Sequence, residues 1–215
     1  MEMKNIRLMR TKRGGFTLIE LLVVIGIIGI IAALIVNLSG KAARTRKINR
    51  VRAELEQLDT VIEAYKEKKG FYPPSNGDTN NFVTNQLFYE LTGTFFDQND
   101  NSFQTINGSE KISDTTVSNV FNVGGFANSS TDRNEIKNFF PSMKSSQYAE
   151  RSANPDVELL IVPVEGPDDI ILPNGKKLNT WRYNSTTPTH NPESFDLWAE
   201  ILIGGKTNII GNWKE

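Results

Sequence analysis

Residues 16–38 read FTLIELLVVIGIIGIIAALIVNL, 23 positions with a single charge, Glu20. At about 1.5 Å per residue a helix of this length reaches roughly 34 Å, against about 30 Å for the hydrocarbon core of a bilayer. Backbone groups in hydrocarbon must pair internally, so a helix is the predicted state, and Gly26 and Gly29 are tolerated inside it. A secretory signal peptide has an apolar stretch of only about 7–15 residues followed by a small-residue cleavage site. This run is longer, and Ala32-Ala33 lies well inside it.

Charge brackets the run on both sides. Residues 1–15 carry five basic groups (Lys4, Arg7, Arg10, Lys12, Arg13), and residues 41–52 carry six (Lys41, Arg44, Arg46, Lys47, Arg50, Arg52) with no acid. From Gly70 to Glu215 there are 10 basic and 18 acidic residues, a net charge of -8. Nucleic-acid binding needs a basic face, so none is expected of this acidic body. Basic blocks around an apolar run point to membrane lipid instead, although their balance does not decide orientation. The chain has no cysteine, which excludes disulfides, thiol catalysis and Cys-ligated metal.

A plain membrane anchor does not account for Glu20. A carboxylate near the centre of a membrane helix costs about 2.5–3.5 kcal/mol, so such a group has a partner and a function. Cleavage between Gly15 and Phe16 creates an α-amino group four residues before Glu20, able to neutralise it in the same subunit or a neighbour.

Lys12-Arg13-Gly14-Gly15-Phe16-Thr17-Leu18-Ile19-Glu20 resembles the class III signal of type IV pilins and type II secretion pseudopilins. The resemblance implies a cleaved leader at 1–15, cut by a prepilin peptidase after Gly15, with N-methylation of Phe16. Glu20 is then the glutamate that pairs with the N-terminus of an adjacent subunit. It also implies a cytoplasmic leader, a single pass at 16–39 through a bacterial inner membrane, and a head on the periplasmic side. The implied partners are copies of the chain, other pseudopilins and an inner-membrane assembly platform.

Beyond Ser39-Gly40, Ile48, Val51, Leu55, Leu58, Val61, Ile62 and Tyr65 recur at three- and four-residue steps, predicting an amphipathic helix over 40–70. Gly70 and Phe71-Tyr72-Pro73-Pro74 mark its end, so 16–69 can form one helix of about 80 Å. Its stripe must be covered by a sheet or another helix. The charges along it are segregated. Pairing of the basic block with the acidic residues of a staggered neighbour is one reading, with Arg44 and Arg46 facing Glu54 and Glu56. Contact with anionic lipid is the other.

Residues 71–156, rich in Asn, Ser, Thr and Gly, predict a loop-rich region with short helices near 84–92 and 131–139. From Val157 the pattern turns to strands: Val157–Val164, Ile170–Leu172, Leu178–Tyr183, Ser194–Ile203 and Asn208–Trp213, with Pro173-Asn174-Gly175-Lys176 as a hairpin turn. The predicted fold is α+β and pilin-like, with a long N-terminal helix packed on an antiparallel sheet of about four strands over 157–215.

The tail carries a second resemblance. Trp181-Arg182-Tyr183, Phe195-Asp196-Leu197-Trp198 and Ile210-Gly211-Asn212-Trp213 resemble the C-terminal layout of the major pseudopilin. That family's loop holds calcium through aspartates, whereas residues 204–208 here contain no carboxylate, so no calcium or other cofactor is expected.

No catalytic set emerges. Gly205-Lys206-Thr207 lacks the upstream glycine of a P-loop, since Glu200 stands there. His190, the single histidine, lies in a turn-like segment, and Asp168-Asp169 reads as a solvated pair. Asn107, Asn128 and Asn184 head N-x-[ST] triplets that mean little in a bacterial host. The sequence predicts a non-enzymatic subunit of a type II secretion-like pseudopilus. A type IV pilin for adhesion, motility or DNA uptake is the alternative, and a membrane-anchored binding module a third.

Overall fold

Helix α1 (Leu18–Lys69) carries the apolar run and the amphipathic stripe in turn. The computed structural model describes residues 15–151, 156–167, 170–172 and 177–214, and of 34–39 and 171 the backbone alone. The leader 1–14, Asp168-Asp169 and the Pro173–Lys176 turn therefore lie outside the described residues. Two compact units divide the chain, 1–43 and 44–215.

In the second unit the stripe on α1 is covered as its spacing predicts. Val51, Leu55, Leu58, Ile62 and Tyr65 are all buried in one core, with Ile48 and Val61 partly buried against it. Gly70 ends the helix at φ 85°, its N–H donating to the Lys66 carbonyl at 2.8 Å. A left-handed residue there costs glycine nothing, and Pro73 then prevents resumption.

Helix α2 (Leu87–Thr92) falls within the predicted window and is buried on every side. The segment that follows corrects the loop-rich reading of 71–156. Strands β1 (Thr94–Asp97), β2 (Ser102–Thr105) and β3 (Lys111–Ser113), helix α3 (Asp114–Phe121) and strand β4 (Ser129–Ser130) build a sheet of order β3-β2-β1-β4. The pairs β1–β2 and β2–β3 are antiparallel, and β1–β4 is parallel. The hairpins turn on short polar side chains. Asp97 accepts from the Asn99 N–H at 2.9 Å, Asn101 adopts φ 50°, and Asn107 accepts from the Ser109 N–H at 3.1 Å. Such side chains imitate backbone turn bonds, so a polar segment folds without long apolar strands. Instead of the helix expected near 131–139 there is one 3-10 turn, Arg133–Glu135, while the helix proper is α3.

The strands β5 (Tyr148–Arg151) and β6 (Val157–Leu160) pair with each other, so the first predicted strand has a partner that had been read as loop. The short pair β7 (Ile170–Ile171) and β8 (Lys177–Leu178) flanks the predicted turn. The C-terminal sheet has three strands rather than about four: β9 (Arg182–Asn184), β10 (Asp196–Ile203) and β11 (Lys206–Gly211), in order β11-β10-β9, all antiparallel. The long helix followed by antiparallel-rich sheets is an α+β, pilin-like arrangement.

The closing Gly-Asn-Trp is a structural clasp. The Asn212 side chain donates to the Phe195 carbonyl at 3.0 Å and to Asp59 of α1 at 3.5 Å, and accepts the Leu197 N–H at 3.0 Å. One amide thereby ties the tail to both the sheet and the helix.

Candidate functional site at the start of the long helix

The first turn of α1 is closed by a reciprocal pair. The Thr17 hydroxyl accepts the Glu20 N–H at 3.3 Å, while Glu20 Oε2 accepts the Thr17 N–H at 2.8 Å and the Thr17 hydroxyl proton at 2.7 Å. This is a capping box, in which the cap residue and the glutamate three positions on satisfy each other's orphan donors. Glu20 thus has a partner within its own chain, a signal present in the T-x-x-E spacing but not drawn from it. The described bonds use only Oε2, so among the described residues Oε1 is left to a second donor.

Around this cap the helix is apolar on every face. Phe16 and Leu18 are each 87% exposed, and the large apolar residues from Ile19 to Ile31 stand open in the same way. A helix hydrophobic all round requires lipid or neighbouring helices, since one apolar stripe would suffice against a core. Gly15 has open space around it. No described helix is long and apolar enough to cross a membrane. The described side chains of the run end at Ala33, and those of 34–39 lie outside.

The four residues expected to pair between subunits are not equivalent. Glu54 is half-buried and already pairs with Arg50 one turn back at 3.6 Å. Burial raises its carboxyl above the usual range, and the Arg50 charge opposes that rise. Arg44, Arg46 and Glu56 are exposed, and the Arg44 guanidinium lies beside Gly204. Residues 206–208, expected in a loop, belong to β11, leaving Gly204-Gly205 as a two-residue turn with φ 59° and 76°. Two positive φ values make glycine the natural occupant. The turn has no side-chain oxygen to offer a cation. Among the described residues, no group of three or more His, Asp or Glu could hold a metal ion.

A segment resembling the prepilin signal, a capped first turn and a helix apolar all round precede an α+β unit. The family model "Prokaryotic N-terminal methylation motif" matches residues 10–36. The chain is 38% identical over 91 residues to the fimbrial protein EcpB of Eikenella corrodens, covering 42% of this chain and 55% of that protein. It is 39% identical over 66 residues to the type II secretion system core protein G of Escherichia coli strain K12, covering 30% of this chain and 45% of that protein. The chain thus spans about half the length of the curated relatives it matches. No solved structure matches it.

Proposed function

We propose that the chain is a filament subunit, processed between Gly15 and Phe16, N-methylated on Phe16 and assembled through α1, in a type II secretion-like pseudopilus. The match to the methylation motif over 10–36 carries this reading, and the Gly15–Phe16 bond lies within that stretch, just ahead of the Thr17–Glu20 capping box. Segment 1–15 is the leader, 16–39 the membrane and assembly helix, 40–70 its amphipathic continuation, and the rest the head. Glu20 keeps its helix capped through Oε2 and offers Oε1 to the amine of a neighbouring Phe16. The chain works mechanically, not as an enzyme. Its partners are its own copies, other pseudopilins, a prepilin peptidase, membrane lipid and an inner-membrane platform. The N-terminus faces the cytoplasm and the head the periplasm.

The similarity to a fimbrial protein supports a second reading, a type IV pilus subunit, with the same processing and assembly. Intact mass and N-terminal sequencing of protein sheared from its host test both. A chain of 200 residues beginning at N-methyl-Phe16 supports filament processing. A chain retaining Met1, or cut near Ala33, overturns it.

A further inference from the structure

The polar loop containing His190 builds a feature on which the proposed assembly role does not draw. Asp196, buried at 2% exposure on β10, accepts the backbone N–H groups of Thr189 at 2.7 Å, His190 at 3.0 Å and Asn191 at 2.9 Å. Burial works to raise its carboxyl, but these three donors and the imidazole outweigh that and hold it below its ordinary range. The His190 Nδ1 lies 3.3 Å from the same carboxylate, which orients the ring and leaves Nε2 without a partner among the described residues. The imidazole stacks on Trp213 with centroids 3.8 Å apart and planes 9° apart.

From there the rings continue. Trp213 meets Trp198 edge to face at 5.9 Å, and Trp198 meets Phe82 at 5.4 Å. The arrangement is seated by the backbone, since a Cβ on Gly211 would come within 2.6 Å of the Trp213 ring. Trp198 spends its indole N–H on Glu200 at 3.4 Å, so it offers the cavity no donor of its own. These four rings line a cavity of about 690 Å³, with Asn80 and Thr187 also in its lining. The volume lies within the range of small-molecule sites, about 300–1,000 Å³.

The chemistry of the lining selects the ligand. It contains no Lys, Arg or Glu, and its one carboxylate is already saturated with donors. A charged ligand finds no counter-ion there. A purely apolar ligand makes no use of the Asn80 and His190 side chains in the lining. What fits is a neutral molecule with an apolar face for the indoles and a polar edge for an amide, a hydroxyl and an imidazole acceptor. We propose that this cavity binds a neutral pyranose unit of an oligosaccharide, lying against Trp198 beside the stacked Trp213–His190 pair, with its hydroxyls on His190, Asn80 and Thr187. The site stands whether or not the chain polymerises.

Isothermal titration of the full chain, held in a phosphocholine detergent to avoid sugar head groups, tests it. The probes are cellohexaose, xylohexaose, maltohexaose and N-acetylchitohexaose, with hexagalacturonate and hexaproline as competitors of other chemistry. At least one neutral hexasaccharide is expected to bind saturably in the sub-millimolar range. Trp213→Ala and Asn80→Ala are each expected to weaken it by roughly tenfold or more, as loss of an anchoring ring or bond does. Asn80 sits in an exposed loop, so its variant reports on the site even if Trp213→Ala disturbs the fold. Failure of all four neutral sugars, equal binding by both variants, or preference for hexagalacturonate or hexaproline overturns the proposal. None of these outcomes touches the N-terminal processing result.

Discussion

The Tyr65 hydroxyl, at the end of the α1 stripe, donates to the Glu90 carboxylate on α2 at 2.8 Å. Glu90 is fully buried and also accepts the backbone N–H groups of Ala127 at 2.7 Å and Asn128 at 2.9 Å. Burial pushes its carboxyl up, and the bonds from Ala127, Tyr65 and Asn128 pull against that. One side chain therefore joins the long helix, the buried short helix and the lead into β4.

That convergence makes Glu90 a stability determinant. Glu90→Ala leaves three donors without their acceptor, two of them in buried bonds, and is expected to cost about 3 kcal/mol or more. Tyr65→Phe removes one bond to this buried carboxyl and is expected to cost about 1–2 kcal/mol. Urea unfolding of both single variants and the double variant measures the coupling. Strictly additive costs would show that the two residues do not act as a pair.

The strand pair β5–β6 carries a pH dependence. Glu158 on β6 is buried, lies opposite Glu150 in register and bonds to the Glu110 carboxyl, and its backbone N–H donates to the Tyr89 hydroxyl at 3.0 Å. Burial first, then the charges of Glu110 and Glu150, push it up to about 8 from 4.5. A folded-state value above the unfolded one means the stabilisation is complete below about 4.5 and is lost as pH rises through about 8. Glu110 is shifted the same way, by burial and then by Glu150. The melting temperature is expected to fall by several degrees between about pH 5 and about pH 9, and Glu158→Gln should flatten that fall. A wild-type melting curve that is level or rising over this interval refutes the assignment.

At the other end of the chain, the capping box separates processing from assembly. Glu20→Ala leaves Gly15 and Phe16 untouched, so mature protein beginning at Phe16 is still expected in membranes. Filaments recovered by shearing should be absent on the proposed assembly role, in which this carboxylate receives a neighbour's amine. Thr17→Ala removes only the hydroxyl half of the cap and should reduce the yield less. Filaments at wild-type yield from Glu20→Ala would reduce the helix to a tether.

Much of this was legible in advance because it rests on long-period patterns. The stripe from Val51 to Tyr65 and the stop at Gly70 follow from apolar spacing and glycine chemistry, and both appear in the structure. The sheet over 94–130 was not legible, because its strands are two to four residues long and their turns depend on individual Asp and Asn side chains. Helix α3 did announce itself: Ser113 caps it by accepting the Thr116 N–H at 3.1 Å, and Val117 and Phe121 recur four apart on its buried side. That signal was overlooked amid polar composition. His190 reads as a lone histidine in a turn-like segment because its stacking partner Trp213 comes close only in the fold, and nothing in the spacing marks Asp196, six residues on, as its acceptor.

The charge pairing between subunits can now be tested more sharply than the block pattern allowed. Glu54 already serves Arg50 within its own helix, so Glu56 is the acidic residue of the two left for a neighbour. Arg44 also packs beside the Gly204 turn, so its reversal would mix local damage with any interface effect. Arg46→Glu is the cleaner substitution. It is expected to lower filament yield, most at low ionic strength, where exposed charges are least screened. Adding Glu56→Arg should restore yield by recreating the opposite pair, while adding Glu54→Arg should not. If Arg46→Glu assembles at wild-type yield in low salt, staggered charge pairing is excluded, and the basic block is left with lipid as its counter-surface.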